Sequence, residues 1–168
     1  MTNLPAISEG TSGQTVEWAQ YLLVCLTDFM TYRQIDGIFG PQTTTATKRF
    51  QHDRNLTADG VIGPDTWAAL GGSSPQPPTL TQGARGPLVG KLQATLNFGR
   101  GHWVPDSEPV LAVDSYYGPL TAAVVRGAQR HGGIPVDGQV GLQTWALPIA
   151  DIALSLSFEC GLTGLGGI

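Results

Sequence analysis

The sequence of 168 residues predicts an all-α protein, two tandem three-helix modules followed by a short extended C-terminal tail. Three observations carry this expectation. Gly10, Gly13, Val16, Ala19, Gln20 and Leu23 recur 73 positions later as Gly83, Gly86, Val89, Leu92, Gln93 and Leu96, so one unit is written twice. Within the first unit apolar residues return at spacings of three and four, the period of a helix with one buried face. Beyond Pro148 the period becomes two. Ile152, Leu154, Leu156, Phe158 and Cys160 alternate with Ala153, Ser155, Ser157 and Glu159, as in a half-buried strand.

Val16, Ala19, Leu23, Leu26 and Met30 define the first helix, over roughly 14 to 30. Gly40-Pro41 opens the second with proline at its first position; Ala46 and Phe50 mark its inward face, and Asn55-Leu56 ends it. Asp59-Gly60 is a turn. Gly63-Pro64-Asp65-Thr66-Trp67 then starts a short third helix whose acidic first turn suits the helix dipole. The segment Gly71-Gly72-Ser73-Ser74-Pro75-Gln76-Pro77-Pro78 is a linker, flexible in its Gly/Ser half and extended in its Pro half. The expected division is a first module over 4–71, a linker over 72–77, a second module over 78–147 and a tail over 148–168. After Leu96 the repeat offset grows to 78, so Asp36, Gly40, Pro41 and Thr43 recur as Asp114, Gly118, Pro119 and Thr121. A five-residue insertion near Gly99 to Pro109 accounts for the change.

Hydrophobic residues make up 41% of the chain and charged residues 13%, which excludes a disordered polyelectrolyte. A net charge of −4 without any run of Lys or Arg lacks the footprint of a nucleic-acid binder, so no nucleic-acid partner is expected. No uninterrupted apolar stretch of about 18 residues suggests a membrane span. His52, His102 and His131 have no zinc-ligand spacing, Cys25 and Cys160 form no CxxC, and the Asp-Gly pairs lack the glutamate that closes an EF-hand loop. Neither metal nor cofactor is therefore expected. The two cysteines either pair or stay as separate buried thiols. The N-terminus has no basic segment followed by an apolar one, so no secretory signal is read there, leaving a trimmed leader or another export route.

The ordered pattern Gly10-x-x-Gly13-x-x-Val16-x-x-x-Gln20, Asp36-Gly37-Ile38-Phe39-Gly40-Pro41-x-Thr43, Phe50-Gln51, Asp59-Gly60-Val61-Ile62-Gly63 and Thr66-Trp67-x-x-Leu70 closely resembles the peptidoglycan-binding domain 1 family. The resemblance covers residues 4–71 and 78–147. It implies compact three-helix modules, not themselves catalytic, that attach hydrolases or other effectors to the bacterial wall. The implied locations are the cell wall, the extracellular side after leaderless release, or a particle. The second copy departs from the pattern at Ser115 for Gly37, Ala128 for Phe50 and Gln139 for Val61. The lost aromatic implies a less filled interior or a compensating side chain, Tyr116 or Tyr117, and wall binding is assigned to the first copy before the second.

Sugar and peptide recognition calls for flat aromatics with Arg, Gln and Asn donors on a shallow groove. Arg49, Gln51, His52 and Arg54 at the end of the second helix, with Tyr32 and Arg33 in the loop before it, form such a set; Gln129, Arg130 and His131 repeat part of it. The competing reading is a solvated helix end whose cations answer the dipole. Asp36, Gly37, Gly40, Asp59, Gly60 and Gly63 are assigned to turn chemistry, the aspartates bonding local N–H groups and the glycines taking left-handed conformations. Trp67 and Trp145 are assigned to the cores, while Trp103 in the insertion is either an exposed contact or local packing. A second apolar stripe on the first helix, Trp18, Leu22, Cys25 and Phe29, and the tail residues Leu154, Leu156 and Phe158 are the candidate partner-binding surfaces. The tail is expected to dock on that stripe, on a second copy of the chain, or on another protein's sheet.

The expected function is a non-catalytic, peptidoglycan-binding protein that anchors a partner or particle to the wall. The alternative is an assembly adaptor of a multi-subunit phage-like or secretion particle that uses the tail. Nothing in the sequence points to a catalytic nucleophile or a carboxylate pair.

Overall fold

The computed structural model describes residues 4–72, 76–100, 110–149 and 152–155. It divides into two compact units with the break between Gln76 and Pro77. The first holds α1 (Gln14–Leu26), a 3-10 turn (Tyr32–Gln34), α2 (Pro41–Asp53) and α3 (Pro64–Leu70). The second holds α4 (Pro87–Phe98), α5 (Pro119–Gly132) and α6 (Leu142–Trp145), followed by β1 (Pro148–Ile149) and β2 (Ile152–Ser155). Proline stands at the start of α2, α3, α4 and α5, where its missing N–H costs nothing and its φ is already helical.

In the first unit Val16, Ala19 and Leu23 of α1 meet Phe39, Ala46, Phe50, Ile62 and Leu70 in a closed core. Trp67 is buried with its indole N–H donated to the Pro5 carbonyl, and Trp145 repeats this with Pro78, both at 2.9 Å. Both tryptophans thus belong to the core. α1 ends at Leu26, four residues before Met30. The Thr27 hydroxyl turns back to the Leu23 carbonyl and Thr27 itself is extended, so the helix cannot continue. Met30 still reaches the core, but from the loop.

Backbone pairing is repeated as faithfully as the helices are. Ile7 pairs with Ile62 and Ser12 with Ile38; their counterparts are Leu80 with Val140 and Arg85 with Tyr116. What fixes these connections is a polar clasp that occurs four times among the described residues. Gln20 on α1 donates its amide to Asp36 Oδ1 (2.9 Å), the Ile38 carbonyl (3.0 Å) and Thr43 Oγ1 (3.2 Å), while its own oxygen accepts the Gly37 N–H (2.9 Å). Gln51 does the same one helix later, to Asp59 Oδ1, the Val61 carbonyl and Thr66 Oγ1, accepting from Gly60. Gln93 with Asp114, Tyr116, Thr121 and Ser115, and Gln129 with Asp137, Gln139, Thr144 and Gly138, complete the set. All four glutamines are 1% exposed. Each clasp ties a helix to the Asp-led turn and to the first turn of the next helix, so a three-helix module contains two clasped joints.

The turns follow the assigned chemistry in part. Asp36 and Asp59 accept the N–H groups of Ile38 and Val61 at 2.9 Å, and Gly37 and Gly60 sit at φ 72 and 81. Gly40 and Gly63 correct the expectation. Their φ values of −98 and −93 are extended backbone, because each serves as the residue before a proline-led helix.

Two of the second module's departures can be followed in the packing around them. Ser115 keeps the left-handed conformation of Gly37 at φ 59, although it carries a side chain. In the first module Glu17 lies over Gly37, its Cγ 3.1 Å from where a Cβ would stand. The counterpart of Glu17 is Gly90, and a Cβ there would lie 2.7 Å from Ser115 Oγ. Bulk has moved from the helix to the turn. Of the two candidate replacements for the lost aromatic, Tyr117 is fully buried and donates its hydroxyl to the Gly138 carbonyl at 2.8 Å, whereas Tyr116 is half-buried. Burial raises the Tyr117 phenol well above its usual range, so it stays a neutral donor. The base of the insertion is pinned by Asn97, which gives and takes one hydrogen bond with the Leu111 backbone, each 2.9 Å.

Over residues 152–155 the tail's strand pattern is realised; residues 156–160, which continue it in sequence, lie outside the described residues. β1 pairs antiparallel with β2, Pro148 opposite Ser155 and Ile149 opposite Ile152, with a register irregularity between Pro148 and Ile149. A helical protein does therefore offer a partner strand: the residues that directly follow α6.

Candidate functional site

The expected ligand set separates into buried and exposed members. Gln51 and Gln129 are interior, and their amides are spent on the clasps, leaving no donor free at the surface. This corrects the placement of both. A glutamine at a helix end reads as solvated in sequence, yet here it is the only group able to satisfy a turn N–H, a turn carbonyl, an Asp and a Thr at once. The remaining members are at or near the surface. Arg54 caps α2, and its guanidinium lies over the buried Phe50 ring at 5.3 Å. His52 is exposed, with Nδ1 3.3 Å from Asp53 Oδ1.

Tyr32 and Arg33 form the 3-10 turn, the Arg33 guanidinium 5.8 Å from the Tyr32 ring centre. Thr31 and Gln34 cap that turn reciprocally, and Gln34 donates to Gln42 Oε1 of α2 at 2.6 Å. Arg49 lies one turn before His52 and Asp53, with its guanidinium 4.2 Å over the ring of Phe29. The loop that carries Tyr32 and Arg33 is thus attached to α2 at two points, Gln42 and Arg49, and these exposed groups share one flank of module 1. In the second module Gly127 and Gly132 stand where Arg49 and Arg54 would be, so Arg130 is left without that company.

Beside the second clasp of module 1 an open cleft of about 280 Å³ lies between the end of α2 and the start of α3. Gln51 forms part of its wall, with Leu56, Thr57, Asp59, Val61 and Asp65. Sequence reading assigned Asp59 to a turn, which is correct for Oδ1, but missed that the turn borders a cavity. Two hydrogen bonds, first the Val61 N–H and then the Gln51 amide, hold the Asp59 carboxyl below the usual carboxylate range. It is a fixed anion beside the cleft. The corresponding residues of module 2 include Ile134, Pro135 and Gln143 for Leu56, Thr57 and Asp65, so one carboxylate and one hydroxyl are absent there.

The expected partner stripe is largely closed. Trp18 is 2% and Leu22 1% exposed; Trp18 donates its indole N–H to the Gly72 carbonyl and stacks on Tyr21 at 5.5 Å. Neither is offered to another chain, because a helix apolar on two sides is buried on both. Phe29 is half-buried under Arg49. Cys25 is half-buried, and burial pushes its thiol up to about 11, so it is a poor nucleophile. Leu154 lies in β2; Leu156, Phe158, Cys160, His102 and Trp103 lie outside the described residues. Among the described residues no three His, Cys, Asp or Glu side chains group to hold a metal, and no helix is long and apolar enough to cross a membrane.

Comparison with known families agrees with this architecture. The putative peptidoglycan binding domain family matches twice, over residues 12–70 and 85–147. An N-acetylmuramoyl-L-alanine amidase of Bacillus licheniformis is 28% identical over 158 residues, 83% of this chain and 44% of the amidase. A zinc D-Ala-D-Ala carboxypeptidase of Streptomyces albus G is 41% identical over 61 residues, 36% of this chain and 24% of that protein. A solved peptidoglycan-binding protein from Clostridioides difficile, in complex with glutamine hydroxamate, is 39% identical, with 42% of this chain and 43% of that one covered and a TM-score of 0.39. The chain spans less than half the length of either of these enzymes. What matches is a binding domain. The chain belongs to the putative peptidoglycan binding domain family and carries that domain twice.

Proposed function

We propose that this chain is a non-catalytic anchor that holds a partner or particle on the bacterial wall, with module 1 as the half that contacts peptidoglycan. The observation that carries the reading is the asymmetry between two modules of one family. Module 1 combines an open cleft bordered by Asp59 and Asp65 with a flank of Tyr32, Arg33, Arg49 and His52. Module 2 lacks the counterparts of Arg49, Arg54, Thr57 and Asp65. Hydroxyls, carboxylates and guanidinium groups over a shallow surface suit a polymer of amides, hydroxyls and carboxylates.

Sedimentation of the full chain with purified sacculi tests this. Retention is expected for the wild type and for a variant altered at Arg130, and reduced retention for the exposed Asp65→Ala together with Thr57→Ala. Equal retention of all three, or no retention of any, would refute the assignment. Labelled sacculi should not be cleared.

A second reading, an adaptor that docks through the tail, is favoured by the β1–β2 pair, a two-stranded sheet among the described residues and so of a kind that another chain's strand can extend. Removing residues 149–168 should then abolish assembly with the partner while sacculus retention persists.

A further inference from the structure

We propose that Arg49, whose guanidinium lies over the Phe29 ring, is a carboxylate receptor that takes a free carboxylate of the peptidoglycan stem peptide. The proposal rests on the wall-binding reading of module 1. Three observations carry it. First, Arg49 is exposed, and its guanidinium lies 4.2 Å from the centre of the Phe29 ring, a contact that restrains the side chain and lowers the rotamer entropy lost when a ligand binds. Second, among the described residues nothing accepts a hydrogen bond from Arg49 or pairs with its charge. Asp53, one turn further along α2, lies with His52 instead. Third, the platform is braced: the Phe29 N–H donates to Thr27 Oγ1 at 3.2 Å, and the turn that follows is tied to α2 through Gln34 and Gln42.

Three other arginines lie over rings: Arg33 5.8 Å from the Tyr32 centre, Arg54 5.3 Å over the buried Phe50, and Arg85 4.1 Å over Tyr116, where its charge adds to the hydrogen bonds that lower the Asp114 carboxyl. Of the two stacked arginines at the end of α2, Arg49 lies nearer its ring, 4.2 Å against 5.3 Å for Arg54. A planar fork with two parallel N–H groups matches one carboxylate. A phosphodiester polymer of the wall would need a row of cations, and a chain with 9 Lys and Arg against 13 Asp and Glu, without a basic run, supplies none.

The test uses the full chain and two soluble probes, a synthetic stem peptide with free carboxylates and the same peptide with those groups as carboxamides, followed by titration calorimetry. Wild type should bind the free acid roughly tenfold or more tightly than the carboxamide. R49Q should lose that preference, and R49K, which keeps the charge without the fork, should lose most of it. Unchanged thermal unfolding of both variants separates this from a folding defect. Retention on sacculi runs in parallel, before and after acid removal of phosphodiester polymers, and is expected to be the same in both. A wild type retained on sacculi but indifferent to amidation, or an R49Q variant as sensitive to amidation as wild type, overturns the proposal and leaves the wall-binding reading standing. Retention lost with the phosphodiester polymers assigns the oxyanion to them and overturns the carboxylate. No retention on any sacculi overturns both.

Discussion

Exchanging the bulk that moved between helix and turn in module 2 gives a quantitative test of the packing. Ser115 occupies φ 59, where a side chain costs about 1 kcal/mol relative to glycine. Gly90 lies in α4, where alanine would gain about 0.8–1 kcal/mol of helix propensity. Its Cβ, however, would meet Ser115 Oγ at 2.7 Å and only then Val113 Cγ1, at an ordinary 3.8 Å. Ser115→Gly alone should therefore stabilise module 2 by about 1 kcal/mol. Gly90→Ala alone should be neutral or destabilising, since overpacking of this kind costs about 1–3 kcal/mol. In the double variant the obstructing oxygen is gone and both gains are realised, about 2 kcal/mol in all, which for a domain of this size corresponds to about 8–16 °C in Tm. The coupling energy between the two sites should be at least about 1 kcal/mol. Scanning calorimetry of the full chain, with native-state hydrogen exchange of α4 and α5 amides to locate the effect, measures it. Strict additivity, with Gly90→Ala stabilising equally in both backgrounds, would refute the account.

Two further predictions concern the clasps. Gln51→Ala and Gln129→Ala each leave a turn N–H, a carbonyl, an Asp and a Thr without their shared partner, so each should destabilise its own module by about 2–4 kcal/mol in urea denaturation; a loss within about 0.5 kcal/mol would contradict the structural role assigned here. The carboxyls of Asp59, held by the Val61 N–H and Gln51, and of Asp114, held by Gln93 and the Tyr116 N–H, titrate lower folded than unfolded. Their contribution is complete above the unfolded value of about 3.9 and disappears as pH falls through the lower folded values, so stability should decline with acid there, and less steeply in Asp59→Asn with Asp114→Asn. Identical acid profiles for the variant and the wild type would count against it.

The helical architecture was legible because its determinants are local. Proline-led starts, Asp-Gly turns and the three-and-four spacing of Val16, Ala19 and Leu23 act over a few residues, and the offsets of 73 and 78 located every counterpart. The end of α1 was missed because the Thr27 hydroxyl overrides an apolar stripe that runs on to Met30. Gln51 and Gln129 were misplaced for a different reason: polarity was read as exposure, although a polar group is buried wherever the fold gives it enough partners. A clue was available in the sequence. A glutamine precedes an Asp-led turn and a Thr at the third helical position in every half of both modules. Arg49 was a candidate from its place at the end of the second helix, but its stacking on Phe29 depends on where the loop after α1 closes, which no spacing records.

The fourfold clasp also explains how the two cores came to differ so freely. Because Gln20, Gln51, Gln93 and Gln129 address each helix to its neighbour through directional bonds, alignment of the helices does not rest on the shapes of the apolar side chains between them. Phe39 and Phe50 could become Tyr117 and Ala128 while the same backbone pairs closed around them. In such a molecule the apolar interior can be exchanged between large and small side chains, while the four amide crosspieces hold the helices to one another.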